Sequence, residues 1–258
     1  MRKHLLAQIA ALASTLAGPA LAADMPLAAP APFAARFNWT SCYLGGHVGG
    51  GFGRKDITDP VQLVQDSFLG AGSTAGITTV SPTPRGAVIG GQIGCDYQFA
   101  DTSFVVGIEG AVSGSTMKNT TSVGLPLGNP DTAFVKASTD FLPSVTMRVG
   151  YAIDNVLLYA RGGVALAGDK YDVTGSFAGA PFAFEGLDNR LGWTVGGGVD
   201  WAFSHHWSLN VEYDYYQFGH GGVLMSDPIN GFAGIVDVKQ NVQVVKAGLN
   251  FHIWGPGW

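Results

Sequence analysis

The segment Arg85–Phe99, RGAVIGGQIGCDYQF, decides the fold, because it alternates with a period of two over its whole length. One phase reads Ala87, Ile89, Gly91, Ile93, Cys95, Tyr97 and Phe99; the other reads Gly86, Val88, Gly90, Gln92, Gly94, Asp96 and Gln98. Successive side chains of a strand point to opposite faces, so this pattern describes a strand with one apolar wall and one small or polar wall.

The same alternation recurs on both sides. Upstream, Trp39–Arg54 (WTSCYLGGHVGGGFGR) sets Cys42, Leu44, Val48 and Phe52 against Tyr43, Gly45, His47 and Gly49. Downstream, SFVVGIEGAVSG, FLPSVTMRVGYAI, VLLYARGGVAL, LGWTVGGGVDWAF, WSLNVEYDYYQF and QVVKAGLNF repeat it, which makes eight strands in all. Every charged residue within these strand cores falls in the small or polar phase: Asp96, Glu109, Asp200, Glu212 and Asp214 against Arg148, Arg161 and Lys246. A sparse, glycine-rich phase carrying both signs suits a narrow interior where ions pair. An apolar phase with aromatics toward its ends suits lipid. The expected fold is an all-β, eight-stranded antiparallel up-and-down transmembrane β-barrel.

Composition agrees. Charged residues are 13% of the chain, about half the usual share of a globular domain, while 38 residues are glycine and 11% are aromatic. No apolar run after the first residues reaches the roughly 18 needed for a spanning helix, so a closed barrel is the membrane solution left.

The first residues, MRKHLLAQIAALASTLAGPALAAD, carry a basic start, a short apolar run and a small-x-small motif at Ala20-Leu21-Ala22. They read as a secretory signal peptide over 1–22, followed by an Ala/Pro-rich periplasmic tether over 23–38 and the barrel over 39–258. Arg2 and Lys3 leave with the leader, so the formal net charge falls by two from −5 to −7. With no basic patch, nucleic acid is not an expected partner.

Tight turns are expected at Ala100-Asp101-Thr102, Asp154-Asn155 and Ser204-His205-His206. Four long loops rich in Gly, Pro, Ser, Thr and Asp are expected near 55–84, 115–138, 169–190 and 220–238. Short turns alternating with long loops place the turns and both termini on the periplasmic side of the outer membrane.

The stretches FNWTSCYLGGHVGGGFG, GGQIGCDYQF, FVVGIEG, LLYARGGVAL, GWTVGGGVDWAF and VKAGLNF resemble, in order, the small OmpA-like, porin-family outer-membrane β-barrels of alphaproteobacteria. The resemblance implies a mainly structural or surface role, with outer-membrane lipids and lipopolysaccharide as neighbours and surface ligands reached through the long loops. A narrow porin passing small solutes weakly is the alternative. It also implies recognition of the last strand by the barrel-assembly machinery. Lys246, Gly248, Phe251 and Ile253 fit that polar-x-Gly-x-x-aromatic-x-apolar signal, although the chain continues past Phe251 as HIWGPGW.

Candidate chemistry is thin. The glycines of Trp39–Arg54 lack the Lys-Ser/Thr and following helix of a phosphate loop. Cys42 and Cys95 lie in the apolar phase of adjacent strands. If they pair, the register sets Leu44 against Ile93, Val48 against Ile89 and Phe52 against Arg85, and a cross-strand disulfide forms in the oxidising periplasm. Otherwise they are two small lipid-facing thiols slightly out of register. The charges Asp96, Glu109, Arg148, Arg161, Asp200, Glu212 and Lys246 read as a structural salt-bridge network in preference to a gate or filter. His205-His206 lacks the further ligands of a metal site. Lipid A chemistry needs a Ser/His cluster, and His47 and His220 show no evident nucleophile partner. No cofactor, metal or catalytic residue is expected.

Overall fold

The computed structural model describes residues 37–58, 60–69, 79–124 and 132–254; the segment expected as a signal peptide and most of that expected as a tether lie outside the described residues. Eight long strands close a ring: β1 (Ser41–Thr58), β3 (Arg85–Gln98), β4 (Phe104–Gly124), β5 (Thr132–Ile153), β6 (Val156–Phe177), β7 (Ala180–Ala202), β8 (Trp207–Asp227) and β9 (Phe232–Trp254). Each pairs antiparallel with its neighbours, and β1 closes on β9. A helix, α1 (Pro60–Leu69), and a two-residue strand, β2 (Thr79–Val80), stand between β1 and β3. The register between β1 and β3 sets Cys42 against Cys95, Leu44 against Ile93, Val48 against Ile89 and Phe52 against Arg85.

The tight turns fall where the alternation places them, at 100–103, 154–155 and 203–206. Asp101 and Asp154 there adopt positive φ of 59° and 52°, a conformation that Asp tolerates better than most residues.

Three of the four expected long loops are corrected by the structure, because most of their residues continue the strands, whereas 55–84 keeps a connection that carries α1 and β2 and lies partly outside the described residues. Lys118 pairs with Ser138 and Gly124 with Thr132 across β4–β5. Asp169 pairs with Asp188 and Phe177 with Ala180 across β6–β7, leaving a two-residue turn at Ala178-Gly179. Asp227 pairs with Phe232 across β8–β9.

The physical reason is an inversion of the pattern, seen most simply along β6. Below, Leu158, Val164 and Leu166 face outward while Tyr159 and Arg161 face inward. Above, Lys170 and Thr174 are outward while Tyr171 and Val173 are buried. The lower half is a membrane wall around a polar interior; the upper half is a water-facing wall around an apolar interior. At roughly 3.3 Å per residue and about 40° of tilt, the outward apolar stretch from Phe141 to Ile153 stands about 30 Å tall, and Thr132–Asp140 adds about 20 Å. Bulges between Thr139 and Phe141 on β5 and between Gln217 and Gly219 on β8 shift the phase between the two halves. Gly219, with φ of 68°, supplies the left-handed residue for the second bulge.

Side chains fill the barrel in layers. At the short-turn end Trp39 is fully buried against Val105, Ala152, Leu157, Tyr159 and Ala202, with Phe37 alongside. A polar layer follows, then an apolar one around Met117, Leu142, Phe218 and Val242. The upper half holds Val135, Tyr171, Val173, Phe182, Phe184 and Met225, and α1 lowers Val64 and Phe68 onto them. Aromatic pairs mark the lower edge of the outer wall, including Phe104 with Tyr151, Trp201 with Phe203 and Trp207 with Phe251; Trp193 with Tyr215 marks the upper edge.

Candidate functional site: the barrel interior

The inward charges of the lower half converge on one continuous chain of ion pairs. Arg148 on β5 donates from Nε to Asp96 on β3 at 2.6 Å, and its guanidinium lies 4.0 Å from Glu109 on β4. Glu109 is 2.7 Å from Arg161 on β6. Arg161 reaches Glu212 at 3.0 Å and Asp214 at 2.7 Å, both on β8, and Lys246 on β9 lies 3.1 Å from Glu212 and 3.3 Å from Asp214. All are 5% exposed or less, so each charge depends on its partners in place of water.

Of the seven charges singled out from the sequence, six meet in this chain. Asp200 does not: it is fully buried and accepts a hydrogen bond from Asn250 at 3.4 Å, with no ion pair among the described residues. Alternation puts Tyr43 and Tyr159 on the inward phase, but not the carboxylates and guanidinium that these rings hold in place. Tyr43 donates to Glu109 at 2.6 Å, Tyr159 donates to Glu212, and Arg148 lies over both rings, 4.8 Å and 5.0 Å from their centroids. A Cβ at Gly94 would sit 2.5 Å from Cζ of Tyr43, so this glycine makes room for the ring.

His47 does have a hydroxyl neighbour, which corrects the expectation that it stands alone. Its Nε2 lies 2.8 Å from Ser113 Oγ and its Nδ1 lies 2.8 Å from Gln92 Oε1. Gln92 in turn donates to Asn250 at 2.6 Å. His47 is 2% exposed and Ser113 5%, so the pair is packed inside the wall. Gly90 leaves room for it, since a Cβ there would lie 2.7 Å from His47 Nε2.

A second polar cluster bridges the upper half, in segments expected as loops. Lys55 on β1 reaches Asp169 on β6 at 2.7 Å and donates to the Ser138 carbonyl at 2.8 Å. Thr139 donates to the same carboxylate at 2.6 Å. Arg190 on β7 pairs with Asp188 and donates to the carbonyls of Val238 and Gly221.

Near the short-turn end, the sulfurs of Cys42 and Cys95 are bonded at 2.05 Å. On β9, Lys246 and Gly248 point inward while Phe251 and Ile253 point outward at the lower rim. A Cβ at Gly248 would collide with the Asn210 side chain, which crosses toward β9 there. Among the described residues no group of three or more His, Cys, Asp or Glu is arranged to hold a metal ion.

An up-and-down ring with an apolar outer belt, aromatic edges and a polar lining defines a transmembrane β-barrel of the small, side-chain-filled class. Comparison with known proteins sharpens the class. The chain belongs to the outer membrane protein β-barrel domain family, whose model matches residues 9–251. It is 30% identical over 259 residues to a 31 kDa outer-membrane immunogenic protein of Brucella melitensis biotype 1, covering 97% of this chain and 99% of the relative. A 25 kDa outer-membrane immunogenic protein of Brucella ovis is 26% identical over 212 residues, covering 81% of this chain and 84% of the relative. Among solved structures, the attachment invasion locus protein Ail of Yersinia pestis is similar with a TM-score of 0.34 and 15% identity, covering 82% of this chain and 99% of that one. Neisserial surface protein A gives 0.33 and 16%, covering 80% and 96%. The protein is a β-barrel of the outer membrane.

Proposed function

We propose that this chain is a non-conducting outer-membrane barrel with a structural and surface-presenting role. The observation that carries the reading is the stacking of four filled layers along the axis: the Trp39 layer, the Arg148–Arg161 ion chain, the Met117–Phe218 layer and the Phe182–Phe184 layer beneath α1. A narrow porin needs a continuous wet path, and side chains occupy each level where one would run. The buried ions are held by one another and by tyrosine hydroxyls, which favours a structural network over a selectivity filter. The Ser113–His47 pair is sealed from substrate, which supports a role without catalysis.

In this reading the short turns and both termini face the periplasm, and the upper half stands outside the cell, with short hairpin tips on β6–β7 and β8–β9 and α1 in the β1–β3 connection. Relatives described as outer-membrane immunogenic proteins are in keeping with such exposed tips. Lipids and lipopolysaccharide surround the belt. Lys246, Gly248, Phe251 and Ile253 form the signal read by the barrel-assembly machinery. The test is swelling of proteoliposomes in small sugars: rates no greater than those of protein-free liposomes are expected, and size-dependent swelling overturns the proposal.

A further inference from the structure

Six cations among the described residues face outward and are exposed: Arg54, Arg85, Lys118, Lys136, Lys170 and Lys239. The register gathers them into one collar. Arg85 is opposite Lys118, Lys118 opposite Ser138, and Ser138 opposite Lys170, with Lys136 two residues further along β5. On the other side Arg85 is opposite Phe52, two residues before Arg54, and Arg54 is opposite Asn241, two residues from Lys239. The apolar outer wall begins just below, at Ile89 on β3 and Val112 on β4. No Lys or Arg among the described residues faces outward on the short-turn side of this wall.

The collar is unevenly neutralised. Arg54 pairs with Asp56 at 2.8 Å, Lys136 with Asp172 at 3.0 Å and Lys170 with Asp140 at 2.9 Å, and Asp56 also feels Lys239. Arg85 and Lys118 have no ion-pair partner among the described residues; the outward residues directly opposite them or two along their strands, Phe52, Ala87, Thr116, Thr120 and Ser138, carry no charge, and the diagonal carboxylate of Asp140 is paired with Lys170. Like charges directly opposite on one sheet face repel. At the edge of a lipid belt an anion between them removes that cost, and the anion most concentrated there is a lipid phosphate.

We propose that Arg85 and Lys118 form a two-pronged clamp for the phosphate of an outer-leaflet lipid, whose acyl chains lie against the wall around Ile89 and Val112. The inference rests on the proposed orientation, with the long-strand end outside. It adds to that reading a named contact and a headgroup chemistry.

The folded protein in detergent is titrated with bis-phosphorylated lipid A and with the same lipid after its phosphates are removed, and bound lipid is read by native mass spectrometry. Wild type is expected to retain the phosphorylated form preferentially. Removal of both prongs (Arg85→Ser with Lys118→Ser) weakens this roughly 30-fold, whereas Lys136→Ser with Lys170→Ser, which removes cations already paired, changes it by about threefold or less. Heat-dependent gel migration verifies that each variant is folded. Equal retention by wild type and the Arg85/Lys118 variant, or equal binding of the dephosphorylated lipid, overturns the clamp. Displacement by inorganic phosphate at the lipid's own concentration overturns the lipid assignment. A membrane-impermeant amine label applied to intact cells reads orientation separately: modification of Lys118 and Lys136 supports it, and failure to modify them removes the outer-leaflet source.

Discussion

Glu109 on β4 and Arg161 on β6 meet inside the barrel at 2.7 Å, although β5 separates their strands. Through this contact the Asp96–Arg148 pair joins the cluster of Glu212, Asp214 and Lys246, so one polar layer ties β3 to β9.

Breaking that junction leaves a buried charge without its partner. Arg161→Met is expected to destabilise the folded barrel by about 3–5 kcal/mol, and Glu109→Gln by less because Tyr43 and Arg161 can still hydrogen-bond an amide. Urea unfolding in lipid bilayers, followed by tryptophan fluorescence, measures both. Equal, small losses contradict the junction's role.

The two cysteines give a covalent test of register. Alkylation of the untreated protein is expected to modify neither Cys42 nor Cys95, and to modify both after denaturation and reduction. Cys42→Ser with Cys95→Ser removes a link across 53 residues and costs about 2–4 kcal/mol. Labelling before reduction places the strands in another register.

The inverted upper half makes opposite demands on similar side chains. Phe184 is fully buried there, whereas Phe104 at the lower rim is 56% exposed. Phe184→Ala is expected to cost about 3–5 kcal/mol and to open the upper half to added protease, while Phe104→Ala costs far less in detergent. Similar protease resistance in the two variants contradicts an apolar upper core.

The β8–β9 tip responds to acid. Burial pushes the Asp227 carboxyl up, but hydrogen bonds from the Asn230 side chain and from the Ile229 and Asn230 backbone N–H groups outweigh it and hold the pKa below the ordinary 3.8. A depressed carboxylate pKa stabilises the fold above 3.8 and loses that contribution as pH falls through the folded value. Amide exchange at Ile229 and Asn230, corrected for its intrinsic pH dependence, is expected to lose protection below that pH. Asp227→Asn flattens the response.

The lower half of this barrel is legible in the sequence because one rule holds on every strand: the outward phase is apolar and the charges fall inward. The same rule hides the upper half. Lys170-Tyr171-Asp172-Val173 keeps the period of two, but its apolar residues sit on the phase that was polar below, and the surrounding Gly, Ser, Thr and Asp imitate a loop. On β5 and β8 a bulge also shifts the phase, and a one-residue bulge leaves no signature that alternation can read. The inward charges could be placed by phase, yet their partners depend on the stagger of strands around the ring. That is why Asp200, on the same inward phase as Glu212, has no ion pair among the described residues while Glu212 has two cations. Ser113 falls opposite Gly90, and its approach to His47 crosses β3, a relationship visible only once β1, β3 and β4 are in register.

The central claim is that side chains seal the barrel along its axis. Single-channel recording of the purified, refolded protein in planar bilayers tests it most directly. The layered interior predicts a baseline without discrete steps over repeated insertions, with insertion verified by protease protection of the belt strands. Reproducible unitary conductance that Phe184→Ala or Arg161→Met alters would contradict it and return the chain to the narrow pores.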